Sequence, residues 1–227
     1  MRIELSSRPN EPTIIVGFPG VGLVGPIVTE FLIDHMKTEQ IGKFLYDELP
    51  AMVPIHKGKL VDPMSVHYSA KHNTLIVYTI LNLKKYEWKV AAEIAKLASD
   101  LHAKEILCID GATAVGEAGE IIYAYGNPQL TTLGAKPMEE SVIMGISGAL
   151  LLSAKNVNCI FATSQSEMPD SKAAAEVVKF LDKYMGLEVD YQPLLEQAKM
   201  FEDKIKTLMT KGQQLDPADR KSMDYLG

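Results

Sequence analysis

Cysteine is scarce in this sequence: among 227 residues only Cys108 and Cys159 occur. Two thiols this far apart exclude a disulfide-built scaffold. Both lie inside apolar runs, Ile106-Leu107-Cys108-Ile109 and Cys159-Ile160-Phe161, so they read as buried small hydrophobes in a reducing compartment. No run approaches the roughly 18 uncharged apolar residues of a membrane span. Met1-Arg2-Ile3-Glu4 also opens without an apolar signal core. A soluble cytoplasmic protein without a membrane partner is therefore expected. Concentrated positive charge is missing too: 23 Lys+Arg face 29 Asp+Glu, the formal charge is -6, and the pI is about 5.4. Nucleic acid is not an expected partner, because displacing phosphate counterions needs a clustered basic face.

Catalytic signatures are also lacking. His35, His56, His67, His72 and His102 form no His-Glu-x-x-His and have no Cys-x-x-Cys companion, so no metal site and no cofactor are expected. Gly145-Ile146-Ser147-Gly148-Ala149 misses the Gly-x-Ser-x-Gly nucleophile elbow, and its small residues read as helix packing. Internal repeats and low-complexity tracts are missing as well.

What is present is an alternation of strands and helices. Thr13–Phe18 is a continuous β-branched run, the mark of a strand covered on both faces. A glycine-rich turn follows, and Pro26 sits where a helix tolerates proline, ahead of Ile27, Phe31, Leu32 and Met36 at helical spacing. Between Ile41 and Leu81 the pattern breaks into short β-like pieces separated by Pro50, Pro54, Gly58 and Pro63. The spacing predicts helices over Glu87–Leu101 and Met138–Ser153, strands over Glu105–Ile109, Ile121–Tyr125 and Asn158–Thr163, and an extended piece at Leu130–Leu133. A further helix, capped by Asp170 or Ser171, ends at Gly186. The expected fold is an α/β three-layer sandwich with a mixed sheet, formed by one domain over residues 1–190.

Residues 191–212 differ. Leu194, Ala198, Phe201, Ile205 and Leu208 step by four and three, the seam of a coiled coil that packs on the domain or on a neighbouring subunit. Residues 213–227 read as a flexible tail whose few apolar groups cluster at Met223, Tyr225 and Leu226 beside Gly227, a pattern suited to docking.

The sharpest motif is Gly17-Phe18-Pro19-Gly20-Val21-Gly22-Leu23-Val24-Gly25. Gly20, Gly22 and Gly25 satisfy Gly-x-Gly-x-x-Gly between strand and helix, where free amides can cradle an anion. The strand-rich stretch that follows breaks the βαβαβ order of a dinucleotide fold, so a structural turn or subunit contact competes with nucleotide binding. Asp110, Glu117 and Glu120 flank a glycine-rich loop at a strand end, where α/β sheets place their chemistry. They read either as a paired-carboxylate site or as a solvated loop.

Taken in order, these motifs resemble the proteasome assembly chaperone family of archaea, related to the second subunit of the eukaryotic assembly chaperone heterodimer. The resemblance rests on Ile15 to Gly25, Ile109-Asp110-Gly111, Gly145 to Leu151, Pro169 to Ala174 and Val189-Asp190, and spans nearly the whole chain. It implies a fold like that of purine nucleoside phosphorylases and related hydrolases, used without known catalysis. It further implies homo-oligomers, or assembly with a paralogue, that engage the α-ring of the 20S proteasome. Family members that dock proteasomes place a tyrosine next to last after an apolar residue. Here Asp224 precedes Tyr225, which stands third from the end. The competing expectation is a nucleotide- or phosphate-binding enzyme, phosphorylase-like or ligase-like, that uses the glycine-rich turn 17–25.

Overall fold

A computed structural model describes residues 1–49, 51–56, 58–113, 121–164 and 168–188, with positions 200 and 207 standing alone. The elements run β1 (Arg2–Leu5), β2 (Thr13–Gly17), α1 (Val24–His35), β3 (Glu39–Leu45), β4 (Ile55–His56), β5 (Lys59–Leu60), β6 (Met64–Ser69) and β7 (Thr74–Thr79). They continue with α2 (Glu87–Asp100), β8 (Glu105–Thr113), β9 (Ile122–Tyr125), α3 (Pro128–Thr132), β10 (Lys136–Pro137), α4 (Gly145–Ser153), β11 (Val157–Ser164) and α5 (Ser171–Met185).

Nine of these strands form one mixed sheet in the order β1-β3-β6-β7-β2-β8-β11-β9-β10. Its middle is parallel: β2 pairs with β7 and with β8, and β8 pairs with β11. These four strands are rich in β-branched and other apolar residues because helices cover both of their faces. Successive side chains alternate between two cores. Ile15, Ile76, Leu107, Ile109 and Ile160 pack under α1 and α5, whereas Ile14, Val16, Leu75, Val77, Cys108 and Cys159 pack under α2 and α4. Each fully buried aliphatic side chain contributes about 1.5–3 kcal/mol, so this double-sided centre is the stable frame on which the loops rest. The expected three-layer α/β fold with a mixed sheet is thus present.

The helix ends follow local chemistry. Asp170 caps α5 by accepting the Ala173 N–H at 3.0 Å, and Gly186 closes the helix at φ +65°. Asn127 caps α3 through the Gln129 N–H at 2.9 Å. That cap, with Pro128 at the first helical position, turns the segment expected to be extended at Leu130–Leu133 into a short helix. The helix expected over Met138–Ser153 begins only at Gly145: Met144 is extended and Gly145 lies at φ +69°, so 138–144 becomes a connection. The strands β1, β5 and β10 have no counterpart in the expected pattern; β1 and β10 are edge strands with half-exposed or exposed residues and little periodic signal.

The seam Leu194, Ala198, Phe201, Ile205 and Leu208, and the tail residues Met223, Tyr225, Leu226 and Gly227, lie outside the described residues. So do Glu117 and Glu120.

Candidate functional site

The four parallel strands end on one side of the sheet. Gly17 is level with Tyr78 and Ile109, and Thr113 is level with Ser164. The connections leaving β2, β7, β8 and β11 therefore gather at this carboxyl edge, where open α/β sheets bind their ligands. The connection between β3 and β6 joins them there, because Met64 at the start of β6 pairs with Thr79.

The glycine-rich turn sits at the centre of this edge. Gly17 and Gly25 let strand and helix touch: a Cβ on Gly17 would collide with the Gly25 carbonyl, and one on Gly25 would lie 2.8 Å from the Ile109 oxygen. Gly22 at φ +63° and Leu23 at φ +48° turn the chain into α1. The Gly22 carbonyl accepts the Asp170 N–H at 2.8 Å, tying the turn to the α5 cap. A Cβ on Gly20 would run into the Asp110 carboxylate. Pro19 is half-buried and lines a cleft beside it. The five residues singled out in this turn are thus brought together, and Gly17, Gly20, Gly22 and Gly25 are each placed by a close neighbour.

Asp110 packs its carboxylate against Gly20, which places negative charge beside the turn. Its Oδ1 accepts the Gly111 N–H at 2.8 Å, and the Ser147 hydroxyl on α4 lies 3.5 Å from Oδ2. Burial pushes this carboxyl up to about 6, against the opposing pull of those two donors. Among the described residues no Lys, Arg or His pairs with it. Behind Asp110, Cys108 faces Cys159 on the neighbouring strand, and the hydrogen bond between them, together with burial, pushes the Cys108 thiol well up. Asp110 was legible as a strand-end carboxylate; its approach to Ser147 was not, because 37 residues separate them.

These groups floor a cleft of about 500 Å³ between the glycine-rich turn, the start of α2 and the 138–144 connection. A second cleft of about 430 Å³ adjoins it and carries Glu139 and Glu140. Among the described residues no group of three or more His, Cys, Asp or Glu is placed to hold a metal, and no helix is long and apolar enough to cross a membrane.

The sequence profile of the PAC2 family matches residues 14–209. This chain belongs to the PAC2 family. The PAC2 chain is similar to Pyrococcus furiosus PbaA, described as an archaeal homolog of proteasome-assembly chaperone. The two are 27% identical, with a TM-score of 0.83 over 94% of this chain and 98% of that one. Pyrococcus furiosus PbaB, described as an archaeal proteasome activator, is 22% identical with a TM-score of 0.71 over 91% of this chain and 97% of that one. At that identity the likeness is one of fold. The protein MJ1210 of Methanocaldococcus jannaschii is 25% identical over 237 residues, covering 94% of this chain and 92% of its own. The resemblance read from the sequence motifs is borne out: this PAC2 chain belongs with the proteasome-assembly-chaperone-like proteins.

Proposed function

We propose that this PAC2 protein is a non-catalytic, cytoplasmic proteasome assembly chaperone, a homo-oligomer that binds the α-ring of the 20S proteasome or its assembly intermediates. The observation that carries the reading is the likeness to PbaA over almost the full length of both chains. The α/β body over residues 1–190 forms the oligomer, with the helical segment 191–212 packing on it or on a neighbouring subunit. The tail 213–227 contacts the partner ring through Tyr225 and Leu226. A single tail loses ordering entropy on docking and binds weakly, but several tails on one oligomer raise avidity by about 10² to 10⁴ where the geometry allows.

The surroundings of the glycine-rich turn favour this reading over nucleotide chemistry, since the Asp110 carboxylate packs against Gly20 and its negative charge beside the turn repels an anion. Native mass spectrometry with 20S α-rings, comparing the full chain with a chain ending at Asp219, tests the proposal. Capture by the full chain and loss by the shortened one is expected. Equal capture removes the tail from the mechanism, and capture by neither removes the α-ring.

A further inference from the structure

Exposed apolar side chains are unevenly distributed over the described surface. Val53, Ile55 and Leu60 stand out on the connection between β3 and β6, and Trp88 on the first turn of α2. Val142 and Met144, 81% and 76% exposed, stand on the connection before α4, and Met168 on the one before α5. By the strand directions, these seven lie at the carboxyl edge of the sheet, whereas Tyr125 at the end of β9 and Leu152 near the end of α4 are exposed at the opposite edge, and Met200 is exposed as well. Exposed apolar groups gathered on one end mark an interaction surface, whereas singly scattered ones are ordinary.

Charge then specifies what this surface accepts. Asp110 at the cleft floor has no cationic partner among the described residues. Glu87 on the cleft wall and Glu139 and Glu140 in the adjoining cleft add negative charge, and Lys84 is the positive side chain lining either cleft among the described residues. A half-buried carboxylate in a cleft of mixed lining is partly desolvated, and an incoming cation offsets that penalty. Lysine and arginine suit such a pocket because their aliphatic stems pack on apolar walls while the charged head reaches the floor. Here Met138 and Ile143 offer those walls.

We propose that this cleft is a docking site for a lysine- or arginine-bearing segment of a partner polypeptide, its cation on Asp110 and its apolar neighbours on Val142 and Met144. A polypeptide is the occupant because Val142 and Met144 line the cleft yet stay largely exposed, and Trp88 and Met168 lie beyond its lining, so a small amine on Asp110 would leave these apolar groups uncovered. With Val142 and Met144 covered by the partner and water thereby excluded from that side, a cation on Asp110 becomes the main contact of such an interface. The inference goes beyond the tail-borne reading above, since it concerns the body of the protein and stands or falls independently of residues 213–227.

The test uses pools of nonapeptides randomised at every position except the centre, which is fixed as Lys, Arg, norleucine or Glu. Binding to the full chain is read by fluorescence polarisation. The Lys and Arg pools are expected to bind about ten-fold or more above the norleucine pool, with Asp110→Asn abolishing the difference. The double variant Val142→Ser, Met144→Ser is expected to lower binding of every pool. A thermal melt of each variant separates lost docking from lost folding. The proposal is overturned by equal binding of the Lys and norleucine pools, or by a Lys preference that survives Asp110→Asn. Full competition by n-butylamine alone overturns the polypeptide occupant in favour of a small amine. Self-association lost in Asp110→Asn, without any pool preference, overturns it in favour of a second copy of this chain.

Discussion

Gly17 on β2 and Gly25 on α1 stand back to back, so close that a Cβ on Gly25 would lie 2.9 Å from the Gly17 Cα. The strand β2 and the helix α1 thereby approach more tightly than any side chain permits. Gly25→Ala forces the helix away from the Ile109 carbonyl as well. The expected cost is about 1–3 kcal/mol, read as a melting temperature lowered by several degrees with an unchanged far-ultraviolet spectrum. A melt equal to that of the parent chain would show that this contact can relax.

Asp110 is expected to weaken the fold at neutral pH. Its folded carboxyl titrates near 6 against an ordinary 3.8, so between those values the folded state holds more protons than the unfolded one. Stability therefore falls as pH rises from about 4 through 6. Asp110→Asn lacks this slope and, after losing its charge-assisted bond from Gly111, should be about 1–2 kcal/mol more stable at pH 7.5. The advantage should shrink as pH is lowered from 6 towards 4. Lys84 and Glu87 on the cleft wall are unchanged in the variant, so urea unfolding at the two pH values isolates this carboxyl.

His67 runs the opposite way. Half-buried on β6, with Ser65 Oγ 3.0 Å from Nε2 and Thr38 Oγ1 3.5 Å from Nδ1, it titrates near 4 because burial disfavours its charged form; Glu30 opposes this only in part. The unfolded histidine, near 6.5, takes up its proton first as pH falls. Its contribution is complete above about 6.5 and lost towards 4, on the order of 2–3 kcal/mol. His67→Gln should flatten the acid limb of the stability curve, and nuclear magnetic resonance titration of the ring should find it neutral at pH 5.5.

Asp170 joins three elements. One oxygen caps α5 at the Ala173 N–H, the other accepts the Ser164 hydroxyl at 2.8 Å, and its N–H donates to Gly22. Asp170→Ala is expected to cost about 1–2 kcal/mol in urea unfolding. Asp170→Asn, which keeps an acceptor at the cap, should recover at least half of that.

The parts of the fold legible in the sequence are those whose signal is local. β2, α2 and α5 with its Asp170 and Gly186 caps could be found because burial on two faces, helical spacing and capping chemistry are written in neighbouring residues. The helix expected from Met138 was misplaced because periodicity does not register that Gly145 takes a left-handed turn. α3 was missed because Leu130–Leu133 has no helical spacing of its own and reads as extended, the Asn127 cap and Pro128 lying just ahead of it. The site was only half visible. The glycine-rich turn and Asp110 each announced themselves, but their contact depends on β2 and β8 lying side by side, and Ser147 reaches Asp110 through a helix on another part of the chain. Sheet order of this kind is set by packing among distant segments and leaves no periodic trace.

The placement of β2 between β7 and β8 has a bearing on biosynthesis. The central strand leaves the ribosome before either of its partners, and at about 5–20 residues per second it waits several seconds for them. Until Thr74–Thr79 and Glu105–Thr113 emerge, Thr13–Gly17 has apolar groups on both faces and neither edge paired. A polypeptide grouped with the assembly chaperones thus itself passes through a nascent stage in need of shelter.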